Sequence, residues 1–326
     1  MFTDLTGKRR YKINLHCHST RSDGRISYEE VLAAYARAGY DMLAVTDHWV
    51  WGEAGTFTGS LPDGTPQTMR ILSGCEFNVG GGDSLEGVFH ILGLDCLQRP
   101  ALTMALYNDA RLSPLEKARI VIKEIHRAGG IAVLAHPAWS LNTPEQFYQL
   151  GAYEATEIYN SVSAWGMSDR PYSGVLIDEV AARGLCLPLL ATDDTHYYDG
   201  DQFRGMIMAD ADFVDSVGFS QTIRENRFYA TMGPEVHLER VDENTVRLRC
   251  TPAAKIVFLS NLVWTDGRVR RGSGLTEASY NFQDGETYVR AEVTDENGLT
   301  AWSRNAGIFP EIRFTPPPQV PAHMLS

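Results

Sequence analysis

Six of the nine histidines in this chain lie in, or within two residues after, short apolar runs: His16, His18, His48, His90, His136 and His196. Carboxylates accompany them in Ser22-Asp23-Gly24, Thr46-Asp47-His48, Gly74-Cys75-Glu76 and Asp193-Asp194-Thr195-His196. Imidazole nitrogen and carboxylate oxygen together make the donor set of divalent-metal centres. In the run INLHCHSTRSDG, strand alternation puts the His16 and His18 imidazoles on one side, at a separation that suits one ion. Asp23 follows in a turn from which a carboxylate can return to that ion. Glu76 sits beyond a strand with Gly74 beside it, where a carboxylate can bridge two ions. His90 lies inside the apolar segment Val88–Leu92; alone it would read as a satisfied core histidine, and the company of the others favours ligation. His126, His237 and His323 stand outside the pattern. Core histidines have no reason to gather at one end of the strands, whereas active sites of β/α barrels do gather there.

The elements that must carry these residues alternate strand and helix over the first 230 positions. Strands are expected at Lys12–Leu15, Met42–Thr46, Ile71–Ser73, Val88–Leu92, Ile131–Ala135, Ala155–Tyr159, Leu187–Ala191 and Met206–Ala209. Ser27 and Glu30 have the spacing of a capping box, and Val31, Leu32, Tyr35 and Ala38 follow at helical intervals up to Gly39. Pro114 opens a second helix that Gly129-Gly130 ends. Further helices fit Tyr172–Arg183 and Val214–Asn226. This is the pattern of a parallel α/β architecture of barrel length. After about Pro234 the helical signal stops. Val236–Glu239, Thr245–Cys250, Lys255–Ser260, Leu262–Thr265, Ala278–Phe282 and Tyr288–Thr294 alternate, with Asp-Gly and Asn-Gly turns between them. The expected division is a metal-dependent barrel over 1–235, a small β-sandwich over 236–312 and a Pro-rich tail over 313–326.

Composition narrows the classes. The chain has 326 residues, 44% of them hydrophobic and 21% charged, which is ordinary for a globular protein. A formal net charge of −12 argues against sequence-independent nucleic-acid binding, which needs basic patches. No apolar run is long enough to span a membrane and no leader is legible at the N-terminus. The five cysteines, Cys17, Cys75, Cys96, Cys186 and Cys250, are odd in number and irregular in spacing, so they read as buried thiols of a cytoplasmic protein.

The ordered segments HCHSTRSDG, AVTDHW, SGCEF, LAHPA and DDTH resemble the motifs of the PHP (polymerase and histidinol phosphatase) metallohydrolase family over about residues 10–235. The resemblance implies a distorted seven-stranded (β/α) barrel binding two or three divalent ions, with zinc, manganese or iron all compatible. Carried over motif by motif, the implied ligands are His16, His18, Asp23, His48, Glu76, His90, His136, Asp194 and His196. Asp193 is an extra carboxylate beside Asp194, and Asp194 is preferred. The segment from Phe203 through NRFYATMGP, with the β region after it, resembles the subgroup that ends in a β-sandwich and includes aryl carbamate hydrolases.

Nine donors exceed one coordination sphere, so they imply a cluster. Six imidazoles and three carboxylates around several divalent ions leave a net positive centre, which suits a phosphate. The expected activity is hydrolysis of a small phosphate ester, perhaps a nucleotide, by a hydroxide bridging the metals, with Asp194, His48 and His136 in catalytic positions. A carboxyl or carbamate ester hydrolase is the alternative, and a non-catalytic metal-binding module a third reading. Arg21, Asn160 and Arg204 are candidate substrate contacts, with Arg170 a further phosphate candidate. Asp47 or Asp193 is a candidate to orient a ligand histidine. Gly80-Gly81-Gly82 lacks the lysine of a P-loop and reads as a loop. Trp49, Trp51, Trp139 and Trp165 flank strand ends, and Trp51–Arg70 is long enough for a lid. The expected partner is a small molecule, with no stable nucleic-acid or membrane partner; self-association through the β-rich region stays open.

Overall fold

The computed structural model describes residues 1–81, 87–304 and 306–307. Gly82, the Pro-rich tail and His323 lie outside the described residues. The first half runs β1 (Phe2–Thr3), β2 (Arg9–Asn14), α1 (Tyr28–Arg37), β3 (Met42–Ala44), β4 (Gly55–Ser60), β5 (Pro66–Leu72), β6 (Gly74–Val79), β7 (Phe89–Leu94), α2 (Met104–Tyr107), α3 (Pro114–Arg127), β8 (Ile131–Leu134), α4 (Pro144–Gln149) and β9 (Ala155–Asn160). A π-helical turn (Ser163–Met167) follows, then α5 (Gly174–Ala182), β10 (Leu189–Thr192), β11 (Met206–Asp210), α6 (Ala211–Val217), α7 (Phe219–Arg224) and β12 (Phe228–Thr231). The last strands are β13 (Val236–Arg240), β14 (Thr245–Ser260), β15 (Val269–Asn281), β16 (Tyr288–Thr294), β17 (Thr300–Trp302) and β18 (Ala306–Gly307). Among the described residues, no helix is long and apolar enough to cross a membrane.

Local chemistry sets the helix starts. In α1, Ser27 accepts from the Glu30 amide while the Glu30 carboxylate accepts from Ser27, and Val31, Leu32, Tyr35 and Ala36 form the buried face. Ser113 and Glu116 cap α3 in the same way, with Pro114 in its first turn, and Val121, Ile122 and Ile125 turn inward. The left-handed Gly39 and Gly129, with φ of 74° and 83°, follow these helices.

The fold is mixed α/β with two sheets, and it departs from the all-parallel expectation. β2–β3, β3–β5, β8–β9 and β9–β10 are parallel pairs. β6–β7, β7–β8, β11–β2 and β11–β12 are antiparallel. The reason for β6–β7 is the link between them, which is too short for a crossover helix and so closes a hairpin. The five-stranded sheet runs β10-β9-β8-β7-β6, and the larger sheet runs β13-β14-β16-β17-β12-β11-β2-β3-β5-β4 with β1, β15 and β18 at its sides. The two meet near the candidate ligands through single parallel bridges, Cys17 to Thr195 and His48 to Glu76.

Four expectations change. Residues 55–72 form the β4–β5 hairpin at a sheet edge, so the stretch expected as a lid is part of the scaffold. Thr245–Cys250 and Lys255–Ser260 are one 16-residue strand, and the Leu262–Thr265 segment is a loop. The single helix expected over Val214–Asn226 is broken at Gly218, whose φ is 82°. From β13 onward the strands join the larger sheet through β17 and β12. Their apolar residues share a cluster with α1: Tyr35 and Leu43 belong with Tyr229, Leu248, Phe258 and Val293. Trp302 instead packs among Ile13, Ile158, Leu190 and Ile207, between the two sheets.

Candidate metal centre

Past the end of β2 the chain stays extended, and His16 and His18 turn to the same side, fully buried. Backbone hydrogen bonds fix this extension on both flanks. His18 donates to Thr195 O and Asp194 to His16 O on one side, and Thr46 donates to Cys17 O on the other. The Glu76 amide then donates to Thr46 O, which carries the lacing on to β6.

Four atoms converge. His16 Nε2 and His18 Nε2 each lie 3.0 Å from Glu76 Oε2 and 3.0 Å from Asp194 Oδ1. All four are buried and none has a hydrogen-bond partner. Four unpartnered polar atoms in a protein interior carry a large desolvation cost. Their spacing is near the roughly 3.3 Å that separates ligands held by about 2 Å bonds at tetrahedral angles. Burial opposes charge on His16, yet the Asp194, Glu76 and Glu157 carboxylates outweigh it and raise its pKa well above 6.5. His18 is raised to about 9, again against burial, by its contacts with Asp194 and Glu76. Burial likewise disfavours the Glu76 and Asp194 anions, but the surrounding imidazoles hold both well below the usual carboxylate range. The site therefore needs positive charge among its carboxylates, and its donor set fits a divalent cation.

The remaining expected ligands surround this group. Glu76 Oε1 lies 2.7 Å from His90 Nδ1 and 3.3 Å from His136 Nε2, and Glu76 Oε2 lies 3.3 Å from His48 Nδ1. Glu76 thus touches five imidazoles. At the mouth, Asp23 Oδ2 lies 3.4 Å from His196 Nε2 and 3.7 Å from His48 Nε2. His48 faces both subgroups through its two ring nitrogens; burial pushes its pKa down to about 4, so the ring is neutral and able to donate a lone pair. The structure brings all nine residues together: eight fall in overlapping groups, and His136 joins them through Glu76. Seven of them, all but His16 and His18, line a cavity of about 130 Å³ with Trp139 and Val162 as its apolar wall, and among the described residues no lysine or arginine lines it.

Backbone geometry separates the neighbouring aspartates. Asp194 has a φ of 52°, which turns the two side chains apart. Asp194 points into the centre. Asp193 points into the core, where it accepts from Tyr35 Oη, Asn14 and the amides of Phe203, Arg204 and Gly205. It anchors the loop into β11. His136, with a φ of 27°, is also held in the left-handed region.

The sequence reading missed Glu157. Its Oε1 accepts from His16 Nδ1 at 2.7 Å and from Thr192 Oγ1 at 2.8 Å, and its Oε2 accepts from the His136 amide and Asn160 Nδ2. This contact places a proton on His16 Nδ1 and turns Nε2 to the centre. A glutamate in the wholly buried β9 was the available signal. Asp47 and Asp193 were the expected orienting groups, and neither contacts a ligand ring; Asp47 accepts from Ser19 and Ser22 and braces their loop.

None of the expected substrate contacts lines the cavity. Arg21 stacks on Tyr28 at 3.6 Å, and Arg204 stacks on Trp165 at 5.0 Å while donating to Gly200 O. Arg170 is exposed. Asn160 is fully buried, and its amide donates to Glu157 and to Asp194 Oδ2, so it steadies a ligand. Trp49 donates to Asn78 O and packs on Phe77. Trp139 sets its ring edge-on to His136 at 4.9 Å and to His90 at 5.5 Å. Cys17 and Cys75 are buried thiols that donate to backbone carbonyls, with burial raising both pKa values. All five cysteines are free, and Cys186 is exposed rather than buried.

No protein-family model matches the chain, and no curated protein sequence does. Among solved structures it is similar to a two-domain protein from Bacteroides vulgatus containing a predicted PHP-like metal-dependent phosphoesterase, at 15% identity and a TM-score of 0.47, over 94% of this chain and 98% of that one. An amidohydrolase from Chromobacterium violaceum with bound sulfate and no metal matches at 18% identity and 0.36, over 58% of this chain and 89% of that one. A candidate metal-dependent phosphoesterase from Bifidobacterium adolescentis matches at 15% and 0.36, over 56% and 87%. The first of these names carries the family that the five motifs resemble. At such scores and identities the likenesses carry no argument, and the reading rests on the atoms of the site.

Proposed function

We propose that this chain is a metal-dependent hydrolase of the PHP type acting on a small phosphate ester. The observation that carries the reading is the convergence of the unpartnered His16, His18, Glu76 and Asp194 donor atoms, with five further donors around them. His16, His18, Glu76 and Asp194 would hold one divalent ion; Glu76, His90 and His136 a second; Asp23, His48 and His196 a third. Bound ions supply Lewis acidity toward a phosphoryl or acyl centre and acidify water toward neutral pH. The chain's own residues do the positioning. Glu157 fixes the His16 tautomer and ties it to the His136 backbone, Asn160 holds Asp194, and Trp139 with Val162 shields one wall from water. Asp194, His48 and His136 are the positions whose loss would remove turnover.

The strand extensions laced through Cys17–Thr195 and His48–Glu76 are consistent with a distorted barrel over about 1–235. The strands from β13 onward then form a smaller sandwich-like unit. A second reading, a carboxyl or carbamate ester hydrolase, is favoured by one observation: among the described residues the cavity wall carries tryptophan and valine but no lysine or arginine to grip a phosphate. Metal analysis of the purified protein, with release of phenol from an aryl phosphate and from an aryl carboxyl ester, tests both. Two or three ions per chain with phosphate-ester turnover supports the first reading. Bound metal with carboxyl-ester turnover alone replaces it with the second.

A further inference from the structure

A second cavity, of about 220 Å³, lies where the N-terminal strand pair, β12 and β13–β14 come together. Arg10 lines it, six residues before His16 on the same strand, which puts it about 20 Å from the metal centre at the strand rise per residue. Five cationic side chains line this cavity, Lys8, Arg10, Arg227, Arg249 and Arg304, against two carboxylates, Asp210 and Glu239. That excess is notable in a chain of net charge −12.

The cations are unevenly neutralised. Arg10 is buried against Asp4 at 2.7 Å, and Lys8 lies 3.6 Å from Asp210. Arg249 reaches Glu239 only at 3.8 Å, a carboxylate that Arg247 already holds at 2.7 Å, and its buried Nε has no hydrogen-bond partner. Arg304 is exposed and has no ion pair among the described residues; partial desolvation, then the like charges of Arg227 and Arg10, push its pKa down, while the exposed Arg227 lies over Phe213 and reaches Glu225 only at 4.0 Å. Asp4, Glu235 and His237 approach one another at the rim. Asp4 accepts from Arg10, Thr6 and the Lys8 amide, and Glu235 accepts from the Leu5 amide and lies 3.4 Å from His237 Nε2. What the cavity lacks is negative charge.

We infer that this cavity is a binding site for a small phosphate-bearing anion, held by Arg304, Arg227 and Arg249 and separate from the metal centre. Guanidinium forks match phosphate oxygens in pairs. The volume falls below the roughly 300–1,000 Å³ of drug-sized ligand sites, so the occupant is a phosphate group with little attached. The site would let a phosphorylated metabolite bind without being hydrolysed, and it does not depend on which ester the metal centre cleaves.

Calorimetric titration of the metal-loaded full chain with inorganic phosphate, and separately with methylphosphonate, tests this. Methylphosphonate has no hydrolysable ester and reports whether a carbon substituent is accepted. The expected result is a phosphate-binding step that persists after chelation of the metals and is tighter at low salt than at high salt. In the Arg227→Gln/Arg304→Gln variant its Kd rises at least about tenfold. In Asp210→Asn, which removes a repulsive carboxylate and keeps a helix-capping side chain, the Kd falls. Aryl ester turnover stays unchanged in both. Identical isotherms for the wild type and the double glutamine variant would overturn the site. So would phosphate binding that vanishes on chelation, which would place all of it at the metal centre. Arg304→Lys, which keeps the charge and loses the fork, gives an intermediate Kd and guards against a folding defect.

Discussion

Two buried ionic networks in this molecule have opposite character. One surrounds Arg290, which is wholly buried in β16. Its Nε and a terminal nitrogen each donate to Asp178 at 2.7 Å, and its other nitrogen donates to Glu292 at 2.6 Å. Tyr288 Oη adds a bond to Asp178, and Tyr172 one to Glu292. Every charge there has an opposite charge, and the network ties β16 to α5. The other network is the histidine–carboxylate group at the ends of β2, β6 and β10, where four donor atoms meet and none is satisfied. Protein interiors seldom tolerate such atoms without a reason. The first network closes on itself and holds structure; the second is left open for a ligand. Burial and charge alone do not separate them, whereas hydrogen-bond accounting does.

The largest contrast is in metal content. His16→Ala and Asp194→Asn are expected to lose bound metal and to lower hydrolysis by at least about a thousandfold, since each removes a donor atom of the central group. Asp193→Asn, one residue away, keeps its metal and loses stability instead. Elemental analysis beside turnover rates reads this, and the reverse ranking of the two aspartates would break the assignment.

Arg290→Ala should do the opposite of His16→Ala. It leaves the half-buried Asp178 and Glu292 without their cation and is expected to cost about 3 kcal/mol of stability. Urea unfolding measures the loss, and metal content per folded chain should stay at the wild-type value. Metal loss in the folded Arg290 variant would show that the two networks are coupled.

A smaller effect sharpens the boundary between them. Glu157 is satisfied like the first network yet acts on the second, through His16 Nδ1. Glu157→Gln keeps the shape and alters the proton arrangement, and it is expected to weaken metal affinity about 10–100-fold while the fold survives. Competition with a chelator gives the number; unchanged affinity would reduce Glu157 to a packing residue.

Much of this site was legible in the sequence. His16 and His18 announce themselves by strand alternation, and His48, Glu76, His136 and His196 by their position after apolar runs. The helix starts at Ser27 and Ser113 were equally readable, because a cap and its glutamate are three residues apart and interact locally. Glu157 was not read, since a carboxylate inside a strand has meaning only when its partners are known, and Thr192, His136 and His16 come from three other segments. The β4–β5 hairpin was taken for a lid because its threonines and glycines show little apolar alternation at a sheet edge.

By itself, then, the sequence determined the donor types, their order and the elements that deliver them, because these depend on periodicity and caps over a few residues. The tertiary structure decided which of two adjacent aspartates turns inward, since that rests on a left-handed backbone at Asp194 held by the His16 carbonyl. It decided that Arg21 and Arg204 have partners of their own away from the cavity lining, and that Asn160 braces Asp194 from behind it. It also gathered Lys8, Arg10, Arg227, Arg249 and Arg304 around one cavity, from positions up to 296 residues apart, which no local pattern encodes. Such proximity is set by strand pairing and shared cores, in which each residue's place depends on the rest of the chain.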